Sequence, residues 1–173
     1  EVGLYLDERR GASVQAMESQ GDGWFVLETD RATAGTPYRF RIDGREPLVP
    51  DPASRYQPLD VHGPSQVIDS QAFEWRDENW SGRHWEEAVF YELHVGSFTD
   101  SGTFAGVEAR LDYLASLGVT AVELMPVADF PGRRNWGYDG VLPFAPDARY
   151  GTPEDLKRLV QAAHERNLMI FLD

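Results

Sequence analysis

Hydrophobic and polar residues alternate in short runs over residues 1–70, a pattern typical of antiparallel β-strands with one buried face. Residues 37–42 show it most clearly, because aromatic and aliphatic side chains alternate there with arginines before an Asp-Gly turn. A Gly-Asp-Gly turn at 21–23 precedes another run, in which Trp24 and Val26 share one side. Regular short strands with intervening turns predict a β-sandwich over this part of the chain.

The alternation is lost after residue 46, where the chain becomes rich in proline. Five prolines lie between 47 and 64. They remove backbone donors and fix the backbone, which predicts an extended segment rather than a helix. Trp75, Trp80 and Trp85 follow in a predicted linker at 71–87. Because a flexible tether would not carry tryptophans, we expect them to attach the linker to its neighbours; stacking on a sugar is the alternative.

A different rhythm begins at residue 88, where strands and helices are predicted to alternate. The run AVFYELHVGSF at 88–98 is continuously apolar, which is typical of a strand covered on both faces. Apolar side chains then recur at helical spacing over 104–117, and Gly118 is a natural residue to end that helix. The next segment, TAVELMPV at 120–127, predicts a second buried strand.

A second helix is predicted to begin at Thr152, with proline in its first turn and two acidic residues after it. Its apolar face includes Leu159 and Ala163, and LMIFLD at 168–173 predicts a third strand. The order strand, helix, strand, helix, strand indicates an α/β fold with a parallel sheet.

Composition narrows the classes of partner and compartment. The chain has 173 residues, 42% of them hydrophobic, which is compatible with a packed core. A net charge of −13 argues against nucleic acid and anionic membranes as partners, since both are polyanions. The absence of cysteine excludes a disulfide scaffold and fits a reducing compartment, so we expect a cytoplasmic protein. Neither a membrane-spanning run nor a signal peptide is expected.

The segment FPGRRNWGYDG at 130–140 is the main candidate for chemistry. It follows a predicted strand, and α/β barrels build their active sites from the loops at the carboxyl ends of strands. Trp136 and Tyr138 offer flat apolar faces to the C–H side of a sugar ring, and Asp139 offers acceptors to its hydroxyl groups. A surface turn around a core tryptophan is the alternative.

His94 and Asp173 are further candidates, because each belongs to or directly follows a predicted strand. The alternatives are a polar side chain satisfied within the sheet for His94 and a loop acid for Asp173. Asp139 and Asp173 are the obvious pair for glycoside hydrolysis by two carboxylates. The remaining histidines show no metal-ligand spacing and no phosphate-binding motif is present, so we expect neither a metal nor a cofactor.

Several segments together resemble the α-amylase family of glycoside hydrolases. In chain order they are YELHVGSFT, GVTAVELMPV, NWGYDG, YGTPEDLKRLVQAAHERN and LMIFLD. The resemblance implies an eight-stranded α/β barrel after an immunoglobulin-like β-sandwich of glucan-binding type. Residues 1–70 then form an incomplete sandwich, and 88–173 form the first three strand–helix units of the barrel. An α-glucan is the implied substrate.

The resemblance also implies roles for individual residues. Tyr138 matches the family tyrosine that stacks on the glucose whose bond is cleaved, and Trp136 and Asp139 border the same pocket. Asp173 supports the pocket rather than attacking carbon, and we expect His94 to support it as well. The family's catalytic acids follow later strands, so none is expected within these residues. A carbohydrate-binding module without catalytic activity is the alternative.

Overall fold

The computed structural model describes residues 1–6 and 13–173, and its first part contains only short strands. These strands are β1 (Val2–Leu6), β2 (Ser13–Ala16), β3 (Glu18–Gly21), β4 (Trp24–Val26), β5 (Pro37–Ile42) and β6 (Ser65–Gln66). One antiparallel sheet has the order β2-β1-β5-β6, and β3 and β4 form a separate hairpin. The predicted antiparallel strand at 37–42 is therefore confirmed as β5.

Burial along these strands differs from the predicted alternation. Ile42 is 42% exposed at the end of β5, and Trp24 is 73% exposed in β4. The arginines of β5 are half-buried instead, because Arg39 donates to the carbonyl of His62 and Arg41 pairs with Glu46. Long arginine stems can cover apolar surface while their charged ends keep polar partners. The arginine stems thus cover part of the surface that the predicted alternation assigned to aliphatic side chains.

The second part of the chain alternates strands and helices around a parallel sheet. After a 3-10 turn at Trp85–Glu87 its elements are β7 (Phe90–Leu93), α1 (Val95–Phe98), α2 (Phe104–Glu108), α3 (Leu111–Ser116), β8 (Ala121–Leu124), β9 (Ala128–Asp129), β10 (Leu142–Pro146), α4 (Pro153–His164) and β11 (Met169–Leu172). The three strands β7, β8 and β11 are parallel, with β8 in the centre. This confirms the predicted parallel order.

The prediction of one continuous strand over residues 88–98 is wrong. Strand β7 ends at Leu93, and the chain turns at once into α1, whose amides at Ser97 and Phe98 donate to the carbonyl of His94. Gly96 permits this turn, because a β-carbon there would lie 3.0 Å from the His94 ring and 3.1 Å from a ring carbon of Tyr150. Apolar content alone could not distinguish the strand from the helical turn that follows it.

The predicted helix over 104–117 is divided into α2 and α3. The break falls at Ala109 and Arg110, where the Arg110 amide bonds to the carbonyl of Val107 three residues earlier. Such three-residue bonds tighten a helix end and rotate the next turn. Leu117, predicted on the buried face, is 55% exposed where α3 ends, while Gly118 does adopt a positive φ of 86° after α3.

The core lies between the parallel sheet and its helices. Its fully buried members include Phe104, Leu111, Leu114, Val122 and Leu159, each 0% exposed. Helix α4 begins as predicted, with a reciprocal capping box between Thr152 and Asp155 and with proline as its first residue. None of the helices in the described ranges has the length and apolar character of a membrane span.

The linker is attached to α4 by aromatic and polar contacts. Trp80 stacks on His164 with 4.5 Å between ring centroids, and the Nδ1 of that histidine lies 2.6 Å from Asp77. The amide of Arg76 donates to the side-chain oxygen of Gln161 at 2.6 Å. Trp80 therefore contacts the α/β part as predicted for the linker tryptophans.

Candidate functional site

Two loops meet at the carboxyl edge of the parallel sheet. Tyr138, in the loop beyond β8, donates its hydroxyl proton to Asp173 Oδ2 at 2.5 Å, directly after β11. Neighbouring parallel strands bring their carboxyl ends to one edge, so this contact follows from the order of β8 and β11. The hydrogen bond to Asp173 raises the pKa of the Tyr138 phenol, which keeps the hydroxyl protonated as a donor. The predicted proximity of Tyr138 and Asp173 is confirmed.

Two aromatic side chains stand open to solvent on this rim. Trp136 is 89% exposed and Tyr138 is 66% exposed. Asp139 lies beside them, and its Oδ2 accepts the backbone N–H of Trp136 at 2.9 Å. That contact closes a tight turn. Exposed rings beside a carboxylate can cover the apolar face of a sugar and accept its hydroxyl protons.

Gly137 lets the rim loop, residues 130–141, lie close to the sheet. Its φ is +107°, and a β-carbon on it would come within 2.5 Å of the terminal methyl of Met125, the residue after β8. Any side chain here would have to displace that methionine and adopt a strained backbone as well. The glycine between the two aromatic residues therefore allows the loop to pack closely against the end of β8.

The rim loop belongs to a hairpin that sequence reasoning did not predict. It connects β9 and β10, which pair antiparallel with an irregular register. Strand β9 is short and β10 contains two prolines, so neither shows a clear strand pattern. The loop is thus held at both ends by a two-stranded sheet rather than hanging from β8 alone.

His94 lies on the far side of this loop from Asp173. It follows β7, and its Nε2 is 2.7 Å from Oδ1 of Asn135. Asn135 also accepts the amide proton of Gly137 at 3.2 Å and the hydroxyl proton of Tyr150 at 3.3 Å. Sequence reasoning missed Asn135, whose only signal was a short polar side chain inside a glycine-rich loop.

Two buried carboxyls belong to the hairpin or directly follow it, Asp129 at the end of β9 and Asp147 after β10. Asp129 is 1% exposed and Asp147 is 0% exposed, and Arg149 pairs with Asp147 at 3.4 Å and with Asp60 at 3.0 Å. Burial, followed by the negative charge of Asp147, raises the pKa of Asp129 to about 7. Burial also raises the pKa of Asp147, although the backbone N–H groups of Arg149 and Phe130 oppose the shift. Sequence reasoning missed this group.

The side chain of Asp60 connects the proline-rich segment to the rim loop. Asp60 accepts a hydrogen bond from the amide of Gly132 at 3.2 Å in addition to its ion pair with Arg149. The Arg149 guanidinium also lies 5.6 Å from the centroid of the Phe130 ring. One arginine thus joins three acidic or aromatic neighbours that are far apart in the sequence.

A cavity of about 500 Å³ opens beside the rim, on the side of His94. Its lining includes His94, Ser101, Arg133, Asn135 and Tyr150. Within residues 1–6 and 13–173, no three His, Cys, Asp or Glu side chains are grouped so that they could hold a metal ion. The cavity thus combines a histidine, an arginine, an amide and two hydroxyl groups along its wall.

Aromatic residues and carboxylates at the carboxyl edge of an α/β sheet fit a protein of the carbohydrate-active class. The alpha-amylase catalytic-domain family matches residues 17–173, and the chain belongs to this family.

Relatives and solved structures agree with this membership. The chain is 48% identical over 160 residues to a malto-oligosyltrehalose trehalohydrolase of Saccharolobus solfataricus, covering 92% of this chain and 28% of the relative. It is 49% identical, with a TM-score of 0.92, to a crystal structure described as an alpha amylase from Salmonella typhimurium, covering 99% of this chain and 29% of that one. A 1,4-alpha-glucan branching enzyme of Geobacillus stearothermophilus shares 28% identity over 97% of this chain and 29% of its own length. The chain thus spans less than a third of each of these proteins.

Proposed function

We propose that this chain forms part of the sugar-binding rim of a glycoside hydrolase that releases trehalose from malto-oligosyltrehalose. The observation that carries the proposal is the 2.5 Å contact between Tyr138 and Asp173 beside the exposed Trp136. It supplies a fixed aromatic ring and an acceptor at the edge where α/β enzymes bind their substrates. The trehalohydrolase relative at 48% identity supports the choice of substrate.

Each rim residue has a distinct role in this proposal. The ring of Tyr138 stacks on the glucose next to the cleaved bond, and Asp173 fixes its orientation through the hydroxyl group. Trp136 borders the same pocket with an apolar face, and Asp139 accepts hydrogen bonds from sugar hydroxyls. Stacking that strengthens as the sugar flattens toward an oxocarbenium-like state lowers the barrier to cleavage.

The bond-breaking groups lie outside these residues in the proposal. The reaction cleaves an α-1,4-glucosidic bond with retention of configuration, using two carboxylates about 5 Å apart. We place this pair in parts of the longer protein beyond residue 173. The chain then contributes an incomplete immunoglobulin-like sandwich at 1–70 and a linker at 71–87. Residues 88–173 supply the first three units of an eight-stranded α/β barrel, and the sandwich is a module of glucan-binding type.

Two alternative functions remain distinguishable by experiment. A branching enzyme is the second candidate, supported by the 28% identity to the Geobacillus protein. A carbohydrate-binding fragment without catalysis is the third, because the rim carboxylates Asp139 and Asp173 both hold hydrogen bonds to rim residues, Trp136 and Tyr138. All three bind α-glucans, so binding alone does not separate them.

Incubation with maltotriosyltrehalose tests the proposed function. We expect a full-length protein containing this chain to release trehalose, measured by anion-exchange chromatography, and the isolated 173-residue chain to release none. Amylose serves as the comparison substrate, because a branching enzyme would form new α-1,6 linkages visible by proton NMR. Branching without trehalose release would exclude the trehalohydrolase, and activity of the isolated chain would exclude the placement of the catalytic acids beyond residue 173.

Substitution of Tyr138 tests the proposed stacking. In the full-length protein, Tyr138→Ala is expected to lose about 1–2 kcal/mol of transition-state stabilisation, or roughly a 5- to 30-fold fall in kcat/KM. Tyr138→Phe keeps the ring and loses only the contact with Asp173, so a smaller fall is expected. Tyr113→Ala is the matched control, since that tyrosine is 51% exposed and belongs to α3, not to the rim loop. Equal kinetics for Tyr138→Ala and Tyr113→Ala would place Tyr138 outside the sugar site.

A further inference from the structure

Asn135 is the meeting point of three separate parts of the fold. Its Oδ1 lies 2.7 Å from Nε2 of His94 after β7, 3.2 Å from the amide of Gly137 in the rim loop, and 3.3 Å from the hydroxyl of Tyr150 before α4. Over residues 131–136 Asn135 is also the one residue that is not exposed. The side chain therefore turns inward where its loop neighbours turn outward.

The donors around Asn135 determine which of its amide atoms faces them. The backbone nitrogen of Gly137 can only donate, so the atom that it approaches is the oxygen. The ring nitrogen of His94 that faces the same oxygen must then carry a proton, which assigns the Nε2–H form to this histidine. Burial raises the pKa of Tyr150 to about 12, so its hydroxyl is likewise protonated and donates.

We propose that Asn135 is a positioning residue for the sugar-binding rim, holding the Trp136–Tyr138 turn against the end of β7 so that Tyr138 reaches Asp173. The inference rests on the proposed sugar-binding function of this rim. His94 acts through Asn135 in this arrangement and supports the rim from behind.

The other attachments of the loop leave this task to Asn135. Asp60 accepts from Gly132, which holds the outer part of the loop three residues before Asn135. Asp139 accepts from Trp136, but that bond lies within the turn and does not tie it to the sheet. The close approach of Gly137 to Met125 is an apolar contact, which does not fix the orientation of the turn. Among the contacts of the described residues, the hydrogen bonds of Asn135 are thus the ones that orient the Trp136–Tyr138 turn relative to β7.

Replacing Asn135 separates a positioning role from a general structural role. In the full-length protein, Asn135→Ala is expected to lower kcat/KM on maltotriosyltrehalose by about 10- to 100-fold, because a misplacement near 1 Å at a binding group has effects of that size. Asn135→Asp keeps oxygen acceptors for all three donors and is expected to stay within about threefold of the wild type. Tyr150→Phe removes the longest of the three bonds and should lie between these limits. Thermal unfolding of each variant shows whether the fold is retained.

The measurements are arranged so that each result decides the matter. Loss in Asn135→Ala with recovery in Asn135→Asp, both folded, supports positioning. Wild-type kinetics in a folded Asn135→Ala, or an Asn135→Asp variant that is folded yet tenfold or more slower, overturns it. If Asn135→Ala does not fold, kcat/KM of folded Asn135→Asp and Tyr150→Phe tests the inference instead. Values within the ranges expected above support it, and a tenfold or greater fall in Asn135→Asp overturns it.

Failure of the proposed function is distinguishable from failure of this inference. If the wild type releases no trehalose but hydrolyses or branches another α-glucan, the kinetic comparison is made on that glucan. Calorimetric titration with maltotetraose supplies a readout that needs no turnover, and Asn135→Ala is expected to bind it at least fivefold more weakly than Asn135→Asp. Equal affinities of the two variants would overturn the inference even if the trehalohydrolase activity were established.

Discussion

Replacing Phe104 by alanine is expected to lower the free energy of unfolding by about 3–5 kcal/mol. Phe104 is 0% exposed at the start of α2, and its ring meets that of Tyr150 edge to face with 5.9 Å between centroids. Its backbone amide also donates to the carbonyl of Tyr150 at 2.8 Å, so the surrounding chain cannot collapse freely into the cavity left behind. Both the lost transfer free energy and the residual cavity then destabilise the fold.

Urea unfolding followed by circular dichroism measures this effect as a shift of the midpoint at unchanged slope. Leu117→Ala is the matched control, because Leu117 is 55% exposed in the same helical region and its truncation should change stability by less than about 0.5 kcal/mol. Similar losses for the two variants would show that α2 is not packed as described. If kcat/KM of Phe104→Ala also falls at urea concentrations well below those that unfold the variant, this would in addition link the core to Tyr150 and the rim.

Replacing Asp129 by asparagine is expected to remove a pH-dependent change in the free energy of unfolding on the order of 3 kcal/mol. Burial and the nearby Asp147 raise the pKa of Asp129 from 3.8 to about 7 in the folded protein. The stability that this raised pKa contributes is fully present below pH 3.8 and is lost as the pH rises through about 7. Asparagine cannot ionise, so the variant should gain stability over the wild type between pH 4 and pH 8.

Thermal or urea unfolding at several pH values between 4 and 8 tests this prediction. Asp100→Asn is the control for the chemical change itself, since Asp100 is exposed and the same substitution there alters no buried carboxyl. A constant difference between Asp129→Asn and wild type over the whole range would contradict the buried, proton-holding state of Asp129. Because Asp129 is the last residue of β9, in the hairpin that carries the rim loop, kcat/KM should change over the same pH range if the hairpin loosens on ionisation.

Elements with strong local signals could be predicted from the sequence. Thr152 and Asp155 form a capping box through bonds made within four consecutive residues, so no distant contact was needed to predict the start of α4. The parallel order of β7, β8 and β11 likewise follows from apolar runs separated by helices. The proximity of Tyr138 and Asp173 could be predicted for the same reason, because neighbouring parallel strands end at one edge.

Predictions failed where a distant contact is involved or where the apolar pattern gives no sign of a local break. The run at 88–98 is apolar throughout, yet β7 ends at Leu93 and the chain turns into α1, where Gly96 packs close to Tyr150, more than fifty residues later in the chain. The predicted helix over 104–117 divides at Arg110 by local bonds whose geometry the apolar spacing did not reveal. Short strands such as β9 carry too few residues to show a periodic pattern.

Periodicity, turn residues and capping were enough to predict the α/β order of the second half, the β character of the first half, and the aromatic loop as a candidate sugar site. These signals act over a few neighbouring positions. Which polar residues meet depends instead on contacts between distant parts of the chain. Arg149 joins Asp60 to Asp147, and Asn135 joins His94 to the rim loop, across separations of up to 89 residues. Their partners are chosen by where the folded chain brings them, since polar side chains that are isolated in the sequence leave no periodic trace there.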